Sequence, residues 1–422
     1  MVRRVDVRLV LLGAGLAMAV LARDPLVIAD TFARAMVAGM VAPICAAMGF
    51  AMVMTATGCD KHLVHLLLKP IKPVRVLLLP GGILIAYFVN MAISSQTSTA
   101  ASIGPILVPL LLASGHSPAV AGAALILGSS FGGDHLNPGA QDVQAVAGIA
   151  ELHAPDLTRR IVPASLTGAL VATIAYAVMH RRTTATPSNG PSPDAEPLAP
   201  PPEPFRIDPL RAAIPLVPVT MLLLAYGGVP GLRWLVHIPE APDWKPLANG
   251  LPIVRAMLIG CALAAALCWR DVASISRGFF AGMGDAYGKI ISLTITAQCF
   301  GAGIAAVGMS KTLLDLATRT NSRELLSAGF PWALGVLSGS GSGPIVAFAE
   351  SFLRPMQADE PTKTTLAVLA CLAGAAGRTM SPVAAVVVYT AGLVGVSPVL
   401  LIRKLLLPLV AGTIVALLIA AR

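Results

Sequence analysis

The chain has 422 residues, 56% hydrophobic and only 12% charged, with a formal net charge of +9 and a mean hydropathy of +0.78. About 25% charged residues is usual in a soluble protein, so this balance excludes a soluble globular domain and predicts an all-α polytopic membrane protein. The Lys and Arg residues lie mostly at the ends of apolar runs, where they anchor helices and mark cytoplasmic loops, so no nucleic-acid partner is expected.

In chain order, weakly charged runs predict helices at 8–22, 36–57, 76–93, 98–114, 118–131, 161–179, 211–228, 252–268, 289–308, 325–337, 364–376, 382–397 and 401–420. A crossing takes about 20 residues; several runs reach that length and others fall short. No convincing cleavage site follows the first run, so it reads as a span and not a signal peptide. The segment RRTTATPSNGPSPDAEPLAPPPEPFR, residues 181–206, is rich in Pro, Ser and Thr. Such a composition makes an extended linker. It divides the chain into a first transmembrane repeat, 1–180, and a second, 207–422. The six cysteines are scattered without a CxxC pair and read as buried free thiols.

Three collinear matches make the halves copies of one another. ATGCDKHLVHL at 56–66 pairs with AVGMSKTLLDL at 306–316. GDHLNP at 133–138 pairs with GRTMSP at 377–382. APDLTRR at 154–160 pairs with SPVLLIRK at 397–404. The offsets are 250, 244 and about 243 residues. Duplication in a polytopic chain predicts a transporter built from two structural repeats. The loop after Asp60, with Lys61, Lys69, Lys72 and Arg75, is more purely basic than its counterpart at 311–323, which predicts opposite orientations of the halves, that is, inverted repeats.

Each half interrupts its apolar sequence twice. The first half has NMAISSQTSTAASIGP at 90–105 and GDHLNP at 133–138; the second has SGSGSGP at 338–344 and GRTMSP at 377–382. Irregular backbone at membrane depth is tolerated only where protein buries it or where it lines a wet cavity. Helix N-termini freed at such breaks attract anions, and hydroxyls and free carbonyls complete the shell of an anion or a small cation. The four breaks are therefore expected to meet as broken or re-entrant helices around a midplane site. Its candidate substrate-binding residues are Ser94, Ser95, Gln96, Thr97, Ser98, Asn137, Ser338, Gly339, Ser340, Gly341, Ser342, Gly377, Arg378, Thr379 and Ser381. The bland alternative is hydroxyls bonding back to their own helix carbonyls and small residues packing helices.

Arg378 is the sharpest single signal. An Arg within an apolar segment costs roughly 2.5–3.5 kcal/mol on insertion scales and usually faces a cavity or a partner. Its planar fork suits a carboxylate; the structural alternative is an ion pair with Glu350 or Asp285. The duplication sets Asp134 opposite Arg378, with reversed sign. Asn90, Thr99 and Asp134 are candidate sites for a coupling Na+ or H+. His62 and His65 stand in a basic loop and are not expected to hold a metal. No nucleotide-binding loop or nucleophile elbow occurs, so neither direct ATP drive nor hydrolase chemistry is expected; no catalytic residue and no cofactor is assigned.

The run from Gly58 to Pro118, with RGFFAGMGDAYGKI at 277–290, SGSGSGPIVAFAESF at 338–352 and GRTMSPVAAVVVYTAGLVGVSP at 377–398, resembles the DcuC family of anaerobic four-carbon dicarboxylate carriers. The resemblance implies a secondary carrier of inverted repeats, moving fumarate, succinate, malate or aspartate across the bacterial inner membrane by exchange or by Na+ or H+ coupling. By the same resemblance Asp142, not Asp134, matches the family's acid. Two departures bear on substrate choice: Ser342 and Gly343 stand where the family has Asn and Ala, and Gln141 stands where it has Gly. A cation/proton antiporter, or a carrier of another small organic anion, is the alternative. A homodimer is expected.

Overall fold

A computed structural model describes residues 6–180, 205–238, 250–309, 312, 319 and 322–422. These are nearly all helical and include no strand. The first half runs α1 (Val7–Leu21), α2 (Leu26–Met36), α3 (Val41–Thr57), α4 (Cys59–Leu68), α5 (Arg75–Ile93), α6 (Gln96–Ala113), α7 (Pro118–Ser130), α8 (Gln141–Ala150) and α9 (Ala154–Met179). Three short helices open the second half: α10 (Pro209–Ala213), α11 (Val217–Tyr226) and α12 (Arg233–Val236). Then come α13 (Leu251–Leu267), α14 (Val272–Asp285), α15 (Ser292–Ala306), α16 (Arg323–Ser338), α17 (Ser342–Phe348), α18 (Glu360–Thr379), α19 (Ala385–Val394) and α20 (Pro398–Ala420). Most of the expected linker, 181–204, and most of the second copy of the first matched motif lie outside the described residues.

Among the described residues, six segments are long and apolar enough to cross a membrane, or seven if α2 and α3, bent by 49°, form one span. The chain is a multi-pass membrane protein. The first apolar run is shorter than a crossing: α1 has 15 residues, about 22 Å at about 1.5 Å per residue against a hydrocarbon core of about 30 Å. Local sequence signals set many helix starts. Ser117, Asp208 and Ser397 each accept a backbone N–H at a helix N-terminus, and each is followed by Pro at the first helical position, where its missing N–H costs nothing.

At several equivalent positions the two halves adopt the same backbone. Gly58 and Gly308 have φ of 69° and 75°, Ser94 and Gly339 51° and 71°, and Glu151 and Gly395 56° and 65°. Left-handed φ is uncommon outside glycine, so three such pairs at corresponding places are not coincidence. Ala140 and Ala384, which precede α8 and α19, have φ/ψ of −60°/138° and −62°/138°. A Cβ on Gly133 would lie 2.2 Å from the Tyr87 carbonyl oxygen, and one on Gly377 2.3 Å from that of Trp332. Tyr87 and Trp332 occupy equivalent positions on α5 and α16, so each hairpin presses on its own half's broken helix in the same way.

The repeats are inverted, and the helices that end them show it. The first turns of α9, with Ala154, Leu157 and Ile161, share a core with Ala416 near the end of α20. The last turns of α9, with Ala172 and Tyr176, share another with Leu401 and Leu405 at the start of α20. These equivalent helices therefore run antiparallel. At their crossing Gly168 and Gly412 face each other's carbonyls, a Cβ on either lying 2.7 or 2.5 Å away. Equivalent residues in mutual contact place a local two-fold axis between them. The halves also interlock: α17 packs on α8 and α6 on α19.

The breaks are narrower than the polar runs predicted. The α5–α6 hairpin turns over Ser94 and Ser95 alone, and Gln96–Thr99 already form the first turn of α6. The α16–α17 turn spans residues 339–341. Gly377, Arg378 and Thr379 end α18 instead of lying in its break. Only at residues 131–140 is the interruption as long as expected, with a single 3-10 turn, Asp134–Leu136, inside it. Cap geometry, not polarity, decides these limits.

Candidate functional site

Between the two hairpin turns and the second break lies a cavity of about 160 Å³, lined by Gln96, Thr97, Gly339, Ser340, Gly341, Ser342, Arg378, Ala384, Ala385 and Val386. Seven of these are residues the sequence singled out, and they come from both halves. At its back stands a buried cluster from three helix ends. The Arg378 guanidinium lies 3.9 Å from Asp134 and 3.7 Å from Asp142 and donates to the Ser130 carbonyl at 3.1 Å. Gln96 donates its amide to Asp134 at 2.6 Å. His135 Nε2 lies 3.2 Å from Asp142. All four charged or titratable members are at most 6% exposed.

The local fold explains the convergence. Gly341 allows the hairpin turn to approach Arg378; a Cβ there would sit 2.9 Å from Nη1. Thr379 anchors the end of α18 by donating to the carbonyls of Ser130 and Ala375 at 2.9 and 2.7 Å. Asn137 ties the first hairpin to the first break: its Nδ2 donates to the Met91 carbonyl and to Ser94 Oγ, both at 3.2 Å, and its Oδ1 accepts from Gly139 N at 2.8 Å. The serines of the turns cap helices. Ser95 Oγ accepts from Ser98 N, and Ser340 Oγ from Gly343 N, each at 3.4 Å.

The remaining candidates divide. Ser98 bonds to Ser95 and stays beside the cavity, while Ser338 returns its hydroxyl to the Leu334 carbonyl at 2.6 Å, as the bland alternative held. Gly377 is a packing residue against Trp332. Asn90, Thr99 and Ser381 are fully buried with side-chain polar atoms that make no hydrogen bond. Asp134 and Asp142 lie behind Arg378 and do not line the cavity. The alternative partners of Arg378 are engaged elsewhere: Glu350 with Arg354 at 2.9 Å and Asp285 with Lys289 at 2.8 Å. His62 and His65 pack on Phe205, at ring distances of 4.7 and 4.2 Å. All six cysteines are free, five of them buried. Neither His135 nor Ser130 was among the binding candidates read from the sequence; the signal for His135 was its place inside a break, next to Asp134.

Broken helices meeting between inverted repeats, with an arginine where they meet, define a secondary transporter. The chain belongs to the DcuC family: residues 28–421 match the model of the C4-dicarboxylate anaerobic carriers. It is thus a carrier and not an enzyme. It is 23% identical over 394 residues to the anaerobic C4-dicarboxylate transporter DcuC of Escherichia coli K12, covering 87% of this chain and 77% of that one. It is 42% identical over 123 residues to an uncharacterised transporter of Haemophilus influenzae, covering 29% of this chain and 85% of that one. Among solved structures, the fold is similar to the YdaH transporter of Alcanivorax borkumensis, with a TM-score of 0.57 at 15% identity over 97% of this chain and 96% of that one. It is also similar to MtrF of Neisseria gonorrhoeae, described as one of a class of antimetabolite efflux pumps, with a TM-score of 0.52 at 16% identity over 93% and 82%.

Proposed function

We propose that the protein carries a small dicarboxylate, such as fumarate, succinate, malate or aspartate, across the bacterial inner membrane by alternating access. The observation that carries this reading is the cavity itself: two hairpin turns, one from each half, face the fork of Arg378. Arg378 binds one carboxylate. Gln96, Thr97 and the first-turn N–H groups of α6 receive the other, where the helix end favours negative charge. The names of the DcuC relatives support the same substrate class.

The hairpins α5–α6 and α16–α17 and the broken helices α7–α8 and α18–α19 move as one body that encloses the substrate. The scaffold is α1–α3 with α11 and α13, which also carries the interface of a homodimer. Inverted repeats supply two related arrangements of similar energy, one open to each side, and the substrate biases them by its different affinity for each. Coupling is by exchange or by co-movement of Na+ or H+. The acids behind Arg378 favour a second reading, a cation/proton antiporter. Counterflow uptake of labelled succinate into proteoliposomes preloaded with unlabelled dicarboxylate separates the two. The carrier accumulates label without any ion gradient; an antiporter does not.

A further inference from the structure

The cavity has two kinds of wall. Thr97, Ser340 and Arg378 bring hydrogen-bond donors to it, and Gly339 and Gly341 bring bare backbone. The start of α19 brings neither: Ala384, Ala385 and Val386 carry hydrocarbon side chains alone. Helix geometry does not demand this. In the first half α8 starts after Ala140, on the same φ/ψ as Ala384, with Gln141 and Asp142 as its first two residues. One backbone thus accepts an amide and an acid in one copy and two hydrocarbon side chains in the other. Asp142 reaches across the repeat boundary to within 3.7 Å of Arg378. Val386 stands on the equivalent backbone, in a helix that packs on α6 and α7 of the first half, and Thr97 of α6 lines the same cavity. Ala385 beside it is exposed and lines the cavity too.

Both poles of the site are positive. Arg378 holds one end of the substrate, and the first turn of α6, whose free N–H groups carry positive potential, holds the other. Ser340 is set as a donor as well, because its Oγ already accepts from Gly343 N at 3.4 Å. Asp134 and Asp142 stay outside the lining. With two carboxylates at the poles, the carbons between them lie on the wall that remains. Resting on the carrier reading above, we propose that Ala385 and Val386 set the specificity of this carrier: they cover C2 and C3 of the substrate and select four-carbon dicarboxylates that bear only hydrogen there, succinate and fumarate, over the 2-hydroxy and 2-amino acids malate and aspartate. A hydroxyl at C2 gives up water for a surface that returns no hydrogen bond. An apolar surface rejects an added hydroxyl by about 100-fold at most, so the bias against malate is moderate. An ammonium at C2 fares worse. Whichever way round the substrate enters, that charge sits beside a positive pole, with no acid lining the cavity to receive it.

The test uses the full chain in proteoliposomes at about pH 7.5, where carboxylates are ionised. Counterflow of labelled succinate is the readout, and unlabelled succinate, fumarate, malate and aspartate are the competitors. In the wild type fumarate should compete as succinate does, malate about tenfold less well and aspartate less well still. Val386→Thr puts a hydroxyl on the wall at nearly constant shape, and Ala385→Ser does so beside it. In at least one of them the malate-to-succinate ratio of half-inhibiting concentrations should fall by about threefold or more. That ratio does not depend on how much carrier inserts, so a variant that only loses stability keeps the wild-type value. A wild-type ratio in both variants overturns the proposal. So does malate competing as well as succinate in the wild type, with counterflow intact and the carrier reading untouched. Absence of succinate counterflow in the wild type overturns the carrier reading, and this proposal with it.

Discussion

The two broken helices share a backbone where they restart, though the first stops earlier, and they carry opposite chemistry. The first carries Gly133, Asp134, His135, Asn137 and Pro138; the second carries Gly377, Arg378, Thr379, Ser381 and Pro382 at the same places. Gly133 and Gly377 meet equivalent carbonyls, and Ala140 and Ala384 share dihedral angles within 2°. Yet the first copy supplies acid and imidazole and the second supplies the guanidinium. The glycines, the prolines and the close approach to a hairpin carbonyl specify where a helix stops and restarts. The residues between them are free to diverge, and their divergence makes the two copies electrostatic partners across the repeat boundary.

This contrast can be broken at several points. The sharpest is topological, since inversion predicts an all-or-none difference. Arg159→Cys and Arg403→Cys, near the starts of α9 and α20, should each react with an impermeant thiol reagent from one face only, and from opposite faces. Labelling of both from the same face would end the inverted reading. Next is the charge that differs. Arg378→Lys keeps the charge but loses the planar fork, and should weaken succinate binding by roughly 30-fold or more, about 2 kcal/mol. Unchanged affinity in counterflow assays would remove Arg378 from the site.

The shared part of the comparison predicts matched losses. Gly133→Ala and Gly377→Ala force a methyl against a backbone carbonyl, and each should cost about 1–3 kcal/mol of stability. Unfolding in detergent checks this; a large inequality would mean that the two breaks are not held in the same way. The smallest effects separate two equivalent caps. Ser95→Ala and Ser340→Ala should each cost about 1 kcal/mol of stability, additively. Only Ser340, which lines the cavity, should also weaken substrate binding, by roughly fivefold. Equal effects of both on binding would return Ser95 to the site.

Much of this was legible in the sequence because the physics that creates it is local. A polar run in an apolar segment, an intramembrane Arg and a proline-ended motif repeated at a fixed offset all show without coordinates. The width of each break does not, because Ser95 can begin a helix that a polarity count would keep open through Thr99. His135 was missed for a related reason. A histidine beside an aspartate reads as a loop pair until α8 brings Asp142, and α18 brings Arg378, to the same place. The length of α1, 15 residues, was by contrast legible, since the apolar run from residue 8 to 22 is equally long.

The axis between Gly168 and Gly412 has a kinetic consequence. Under the alternating access proposed above, a two-fold through that contact means that each half records the shape the other takes when the carrier faces the opposite way, so exchanging their tilts generates the second state from the first. The backbone survives that exchange; the charges do not, because Arg378 has an acid as its counterpart. A solute entering from one side therefore meets the guanidinium from a different direction than one entering from the other. Half-saturation concentrations on the two faces of the membrane should differ. The final gradient cannot depend on that difference, since the cycle must return the same equilibrium, set by the solute and whatever is exchanged or moved with it, whichever way it is travelled. What the broken symmetry can set is the solute level on each side at which the cycle runs at half its speed.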